Sequence, residues 1–160
     1  MLLHLLTSKT PSNPGYRYWR LLANDISWVD PYGDCPYFHA VPEYRFFESA
    51  DASGTNVVSG KTAFSNVEYS SASLACDGNT ATYWQSNGSA ADSRIPYWLV
   101  DLGAGNGKNI RSMQLVGYSV TGFYAKQYLL QKSNDGSSWT TVATINTANT
   151  TSVQTFTSLA

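Results

Sequence analysis

The sequence predicts an all-β fold, an antiparallel sandwich or barrel, and three observations carry the prediction. Aromatics make up 14% of the 160 residues while charged residues reach only 13%, a balance suited to pleated, half-buried surfaces. Short alternating segments recur between clusters of Asn, Asp, Gly and Ser. No window of helical length shows a convincing 3.6-residue period.

Residues 7–15 (Thr-Ser-Lys-Thr-Pro-Ser-Asn-Pro-Gly) hold two Pro and no apolar period, so 1–15 reads as an extended arm ahead of a domain over 16–160. In Tyr16-Arg-Tyr-Trp-Arg-Leu-Leu-Ala23 the residues Trp19, Leu21 and Ala23 share one face, which predicts a strand. Residues 24–42 carry Trp28, Tyr32, Tyr37, Phe38 and three Pro. An insertion of that length is usually functional or contacts a partner. Glu43–Phe47 is the next strand, followed by strands at 56–64, 97–102, 110–120, 126–132, 138–145 and 152–158. Trp98, Val100 and Leu102 face one side of their strand and Leu99 the other. The length suits one domain with a core of its own, without staples.

Composition also excludes. A net charge of −1 offers no clustered Lys and Arg for phosphate, so nucleic acid is not a partner. Met1-Leu-Leu-His-Leu-Leu6 is too short for a signal-peptide core and lacks a basic flank, and no apolar run reaches membrane-spanning length. The expectation is a chain without an export leader or membrane insertion. Cys35 and Cys76 are compatible with one disulfide or with two free buried thiols. There is no His/Glu pair at metalloprotease spacing, no nucleophile elbow and no phosphate loop. Carboxylates such as Glu68, Asp92 and Asp101 are scattered, so no enzyme is expected.

Three motifs stand in order along the second half: Ala-Cys-Asp-Gly-Asn-Thr-Ala-Thr-Tyr-Trp-Gln-Ser (75–86), Tyr-Trp-Leu-Val-Asp-Leu-Gly (97–103) and Ser-Asn-Asp-Gly-Ser-Ser-Trp-Thr (133–140). Together they resemble the discoidin family, also called the coagulation factor 5/8 type C or galactose-binding-like domain. The resemblance implies an eight-stranded jelly-roll sandwich and a binding scaffold. The family usually begins near the stretch matching Gly54–Ser71 and ends with an Arg-Tyr-aliphatic-Arg strand and then a Glu-containing strand. Here Tyr16-Arg-Tyr-Trp-Arg-Leu21 and Glu43-Tyr-Arg-Phe46 come first, so the order reads as circularly permuted. The alternative, a remnant of a preceding repeat, would leave a sandwich with long unpaired edges.

What the resemblance implies about sites follows by position. Calcium as a structural ion would be held by Glu43, Asp77, Asn79 and Thr82, with backbone carbonyls near Ala75; two carboxylates suit its charge. Ligand loops would be 66–69, 85–97 and 118–124, with Tyr69, Arg94, Tyr97, Tyr118, Phe123 and Tyr124 as candidates. Trp84, Trp98 and Trp139 read instead as core. Sugar-binding relatives often place Arg just after the strand matching Met113–Val116, where this chain has Gly117-Tyr118. His39 is a candidate replacement for the lost polar contact, although a lone loop His is more often solvated or locally bonded, and His4 has less support.

The opening Tyr-Arg-Tyr-Trp-Arg-Leu strand resembles those of discoidin-like bacteriophage structural proteins. That likeness implies a non-catalytic virion component, a decoration, fibre or adhesin, located on the particle. Its partners would be other virion proteins or copies of itself, together with a host-surface glycan. The alternative is a carbohydrate-binding module of an extracellular bacterial protein or of a glycoside hydrolase.

Overall fold

Alternation of apolar and polar residues decides which face of each strand is buried, and the computed structural model shows it over residues 15–26, 39–86 and 94–159, the residues described. The strands in chain order are β1 (Tyr18–Asp25), β2 (Ala40–Val41), β3 (Glu43–Phe47), β4 (Thr62–Ser65), β5 (Trp84–Gln85), β6 (Tyr97–Asp101), β7 (Ser112–Val116), β8 (Gln127–Ser133), β9 (Thr140–Asn146) and β10 (Gln154–Phe156). A larger antiparallel sheet runs β4-β6-β1-β8-β9 and a smaller one β10-β7-β3, with β2 and β5 as a separate short ladder. No helix among the described residues is long and apolar enough to cross a membrane.

The two sheets enclose an aromatic core. Trp19, Leu21 and Ala23 of β1 and Trp98 and Val100 of β6 are buried, and Leu102 follows them inward. Trp98 joins the layers: its ring lies 4.9 Å from Tyr44 and 5.8 Å from Phe46 of β3. Its indole N–H donates to the Ala72 carbonyl at 2.8 Å, so the bulk is buried without stranding the polar atom.

The opening strand lies inside a sheet otherwise built from later ones. Leu21 stands opposite Trp98 on β6 and Leu130 on β8, while β3 pairs with β7 from Glu43↔Val116 to Phe47↔Ser112. Strands 18–25 and 43–47 therefore belong to the same sandwich as 97–156, but in opposite layers rather than side by side. Of the span 56–64, only β4 is extended. Asn56 Oδ1 accepts from the Phe46 and Val58 N–H groups, and Gly60, at φ 68°, sends its N–H to the Cys76 carbonyl at 2.6 Å. Val57 N–H donates to the Phe46 carbonyl at 2.9 Å, but this single bond to β3 is not extended into a ladder before the chain turns.

The arm at 1–14, residues 27–38 of the aromatic insertion, residues 87–93 and Cys35 lie outside the described residues. Cys76 is a free, buried thiol that burial, with Glu43 and Asp77 nearby, pushes up to about 12.

Candidate functional site

The first candidate motif forms a self-bonded turn. After a 3₁₀ segment, Ala72–Cys76, capped by Ser71, the chain reverses at Asp77-Gly78, where Gly78 takes φ 83°. Asp77 Oδ1 accepts from Asn79 N–H at 2.8 Å and Asn79 Oδ1 from Ala81 N–H at 3.0 Å. Thr82 Oγ1 sits 2.7 Å from Asp77 Oδ2 and 2.8 Å from the Asn79 carbonyl. The first two are the side-chain-to-backbone bonds of successive Asx turns, and the Thr82 hydroxyl closes the loop onto the Asp77 carboxylate.

Glu43, at the start of β3, comes up against this turn. It is fully buried, and neither carboxylate oxygen has a hydrogen-bond partner among the described residues. Burial raises its pKa; the Arg45 charge and the Gly78 N–H, which faces the carboxylate without forming an ordinary hydrogen bond, offset this in part, and the Asp77 charge adds to it. A buried, unpaired carboxylate beside a second one is a poor arrangement for a bare protein and a good one for a hard cation. The residues fit such an ion, with Glu43 supplying free oxygens and Asp77 a second charge. Among the described residues no three His, Cys, Asp or Glu side chains converge, so the rest of the shell would be carbonyl and amide oxygens.

Beside the turn, where β3 begins and β7 ends, lies an open cleft of about 460 Å³ lined by Pro42, Thr80, Tyr83, Gly117, Tyr118 and Ser119 among others. Tyr118 is its central aromatic. It meets Tyr83 edge-on at 4.8 Å and Phe123 at 5.5 Å. Gly117 explains why no side chain follows β7 here: a Cβ at that position would come within 2.7 Å of the Thr151 backbone. The 150–151 segment occupies the space an arginine would need.

The six loop candidates do not form one surface. Tyr69 is 76% exposed, and its N–H donates to the Gln85 carbonyl at 2.8 Å. Arg94 is exposed and donates to the Asn66 carbonyl at 2.9 Å, while Asn66 Oδ1 accepts from Tyr97 N–H at 3.0 Å. Tyr97 packs on the outer face of the larger sheet near the Arg20 guanidinium, 5.7 Å away. Phe123 and Tyr124, expected as exposed loop aromatics, are buried. The loop folds back: the Phe123 carbonyl accepts from Ala40 N–H at 2.8 Å, and the Tyr124 hydroxyl ties down 148–154. Tyr83 was not anticipated, although it stands in the first motif beside Trp84.

Other expectations divide similarly. Trp84 and Trp98 are core, but Trp139 is half-buried on the outer sheet face, where the Arg20 guanidinium covers its ring at 4.1 Å. His39 is neither solvated nor in the cleft. It is buried against Trp84 and Tyr128, with Nδ1 3.4 Å from the Tyr128 hydroxyl, and burial pushes its pKa down to about 3. His4 lies outside the described residues.

Comparison with known proteins gives one family match, by sequence. The sequence model of the NedA-like, galactose-binding domain, of the F5/F8 type C group, matches residues 74–159. No curated protein and no solved structure matches the chain. The matched stretch covers more than half of the sequence and contains the Asp77 turn, β5 to β10 and all three ordered motifs. The chain therefore belongs to the F5/F8 type C family of NedA-like galactose-binding domains.

Proposed function

We propose that the chain is a non-catalytic carbohydrate-binding module that seats a sugar against Tyr118, and that it serves as a structural component of a bacteriophage particle. The observation that carries the sugar reading is the edge-on Tyr83–Tyr118 pair lining the cleft beside the Asp77–Thr82 turn, with the buried Phe123 packed edge-on against Tyr118. The partly exposed Tyr118 offers an aromatic surface to the apolar side of a pyranose, and Thr80 and Ser119 supply hydroxyls for its polar edge. Phe123 acts from behind, fixing the Tyr118 ring. A divalent cation such as calcium, held by Glu43 and Asp77 with oxygens of Asn79 and Thr82, would neutralise the buried carboxylate and fix the turn that carries Thr80 and Ala81.

The particle role is supported by the resemblance of the β1 sequence to discoidin-like phage strands. An open cleft of this kind gives weak single contacts, which many copies on one particle would convert into useful avidity. A glycan array probed with multimerised protein tests both parts of the sugar reading. Binding to galactose-type glycans, lost in Tyr118→Ala and unaffected in Arg94→Ala, supports it; equal binding by Tyr118→Ala overturns the site. Detection of the chain in purified particles by mass spectrometry supports the virion assignment. Its recovery only as part of a secreted hydrolase favours the extracellular module.

A further inference from the structure

A second, larger cleft opens at the other end of β7, where β3 and β6 end. It measures about 690 Å³ and shares no residue with the Tyr118 cleft. One wall is the connection between β3 and β4, with Asn56 and Lys61; the other is the connection between β6 and β7, with Asn106 and Lys108. Its chemistry differs too, because no aromatic side chain among the described residues lines it. A neutral pyranose would have no ring to stack on.

The cleft carries a net positive charge, with Lys61 and Lys108 against Glu48, and uncommitted amide NH2 groups. Asn56 spends its carbonyl oxygen on the Phe46 and Val58 N–H groups, which leaves its NH2 without a partner among the described residues. Lys61 forms no ion pair among the described residues. Among the described residues the Asn106 NH2 makes only a long contact, 3.4 Å, with the Ala104 carbonyl. The one carboxylate among the described lining residues is engaged: Glu48 Oε2 pairs with Lys108 at 3.1 Å and Glu48 Oε1 accepts from Asn109 N–H at 3.3 Å. The Ser49 and Ser53 hydroxyl hydrogens are committed within the same loop, which leaves only their lone pairs to the cleft. Two amide NH2 groups and an unpaired ammonium facing one cleft select a ligand rich in acceptors and negatively charged.

We propose that this cleft is a second binding site, for a carboxylated sugar residue, with the carboxylate on Lys61 and the hydroxyls on Asn56 and Asn106. Lys108 forms the far rim, its charge shared with Glu48. The site is independent of the Tyr118 cleft, and the domain would bridge two sugars of a glycan or two chains of a polysaccharide.

Titration of ¹⁵N-labelled protein with glucuronate, glucose and acetate, followed by amide shifts, tests this. Glucuronate should move the amides of Asn56, Lys61, Asn106 and Lys108 and weaken as salt is added, while glucose and acetate leave them in place. Lys61→Gln should weaken glucuronate about tenfold, the scale of one charge-assisted hydrogen bond, and Lys61→Arg should retain most of it. Tyr118→Ala should change nothing here, which separates this site from the one proposed above. Equal shifts with glucose would overturn the charge selection, and equal shifts with acetate would reduce the cleft to an anion site. No response to glucuronate, or an unchanged affinity in Lys61→Gln, would remove the proposal.

Discussion

Replacing Tyr124 by Phe deletes one oxygen from a buried ring and leaves the packing in place. In the native fold that oxygen sits 2.8 Å from the Ala148 carbonyl, accepts from Thr150 N–H at 2.9 Å and Gln154 Nε2 at 3.2 Å, and also contacts the Thr150 carbonyl. It holds the link between β9 and β10, and the Thr150–Thr151 backbone in turn closes over Gly117 beside the cleft. A typical net hydrogen bond contributes about 1 kcal/mol, and a partly buried group left without its partner costs somewhat more. With the Thr150 amide and the Ala148 carbonyl both losing a partner, the variant should lose about 2 kcal/mol. For a domain of this size that corresponds to roughly 5 °C in Tm. Urea denaturation should show a lower midpoint at an unchanged m value, because the surface exposed on unfolding is the same. Hydrogen exchange at the Thr150 and Ser152 amides should quicken while β6 and β8 stay protected. A loss below about 0.5 kcal/mol with unaltered exchange at Thr150 would show that the hydroxyl is not what holds the loop.

Calcium should raise the Tm of the native protein by mass action and leave Glu43→Gln unmoved; calcium-dependent stabilisation that survives in Glu43→Gln would place the ion elsewhere. For His39 the folded pKa of about 3 lies below the ordinary 6.5, so its contribution is fully present above pH 6.5 and is lost as pH falls toward 3. In the Glu43→Gln background, which removes an opposing titration, unfolding free energy should fall by up to about 1.4 kcal/mol per pH unit below pH 6; a flat profile, or an imidazole that titrates near 6.5 by NMR, would contradict the burial. Gly117→Ala drives a Cβ into the Thr151 backbone and should cost about 1–3 kcal/mol by denaturation, as overpacking does; a neutral effect would mean that the 150–151 segment yields easily.

The strands were legible because alternation in Trp19-Arg-Leu-Leu-Ala23 and Trp98-Leu-Val-Asp-Leu102 is a direct readout of a pleated strand with one face buried. Residues 56–60 misled for a local reason. Val57-Val58 resembles a strand, and Val57 N–H does bond the Phe46 carbonyl, yet the Asn56 side chain takes the Phe46 and Val58 N–H groups that a ladder would use, so the pairing stops at one bond. β2 and β5, two residues each, are too short for any period to register. The Asp77 turn was written in Asp-Gly-Asn, and the resemblance connected it to Glu43, across a chain separation no local pattern spans. Exposure of loop aromatics was the least legible quantity. Phe123 and Tyr124 have the sequence context of surface residues, but partners more than twenty residues away fold over them. Trp139 erred in the other direction, since an arginine on β1, reaching across β8, can cover an indole on the outer face as well as a core can. The positively charged cleft had no sequence signature, because Asn56, Lys61, Asn106 and Lys108 come from two connections that only the sandwich brings together.

The most direct test of the central reading is a titration of ¹⁵N-labelled protein with methyl galactoside in the presence of calcium, comparing the native chain with Tyr118→Ala. The account predicts saturable shifts at Thr80, Tyr83, Gly117, Tyr118 and Ser119, at millimolar affinity, and their loss in a variant whose remaining spectrum shows an intact fold. Shifts that persist in Tyr118→Ala, or that centre on Arg94 and Tyr97 instead, would contradict it.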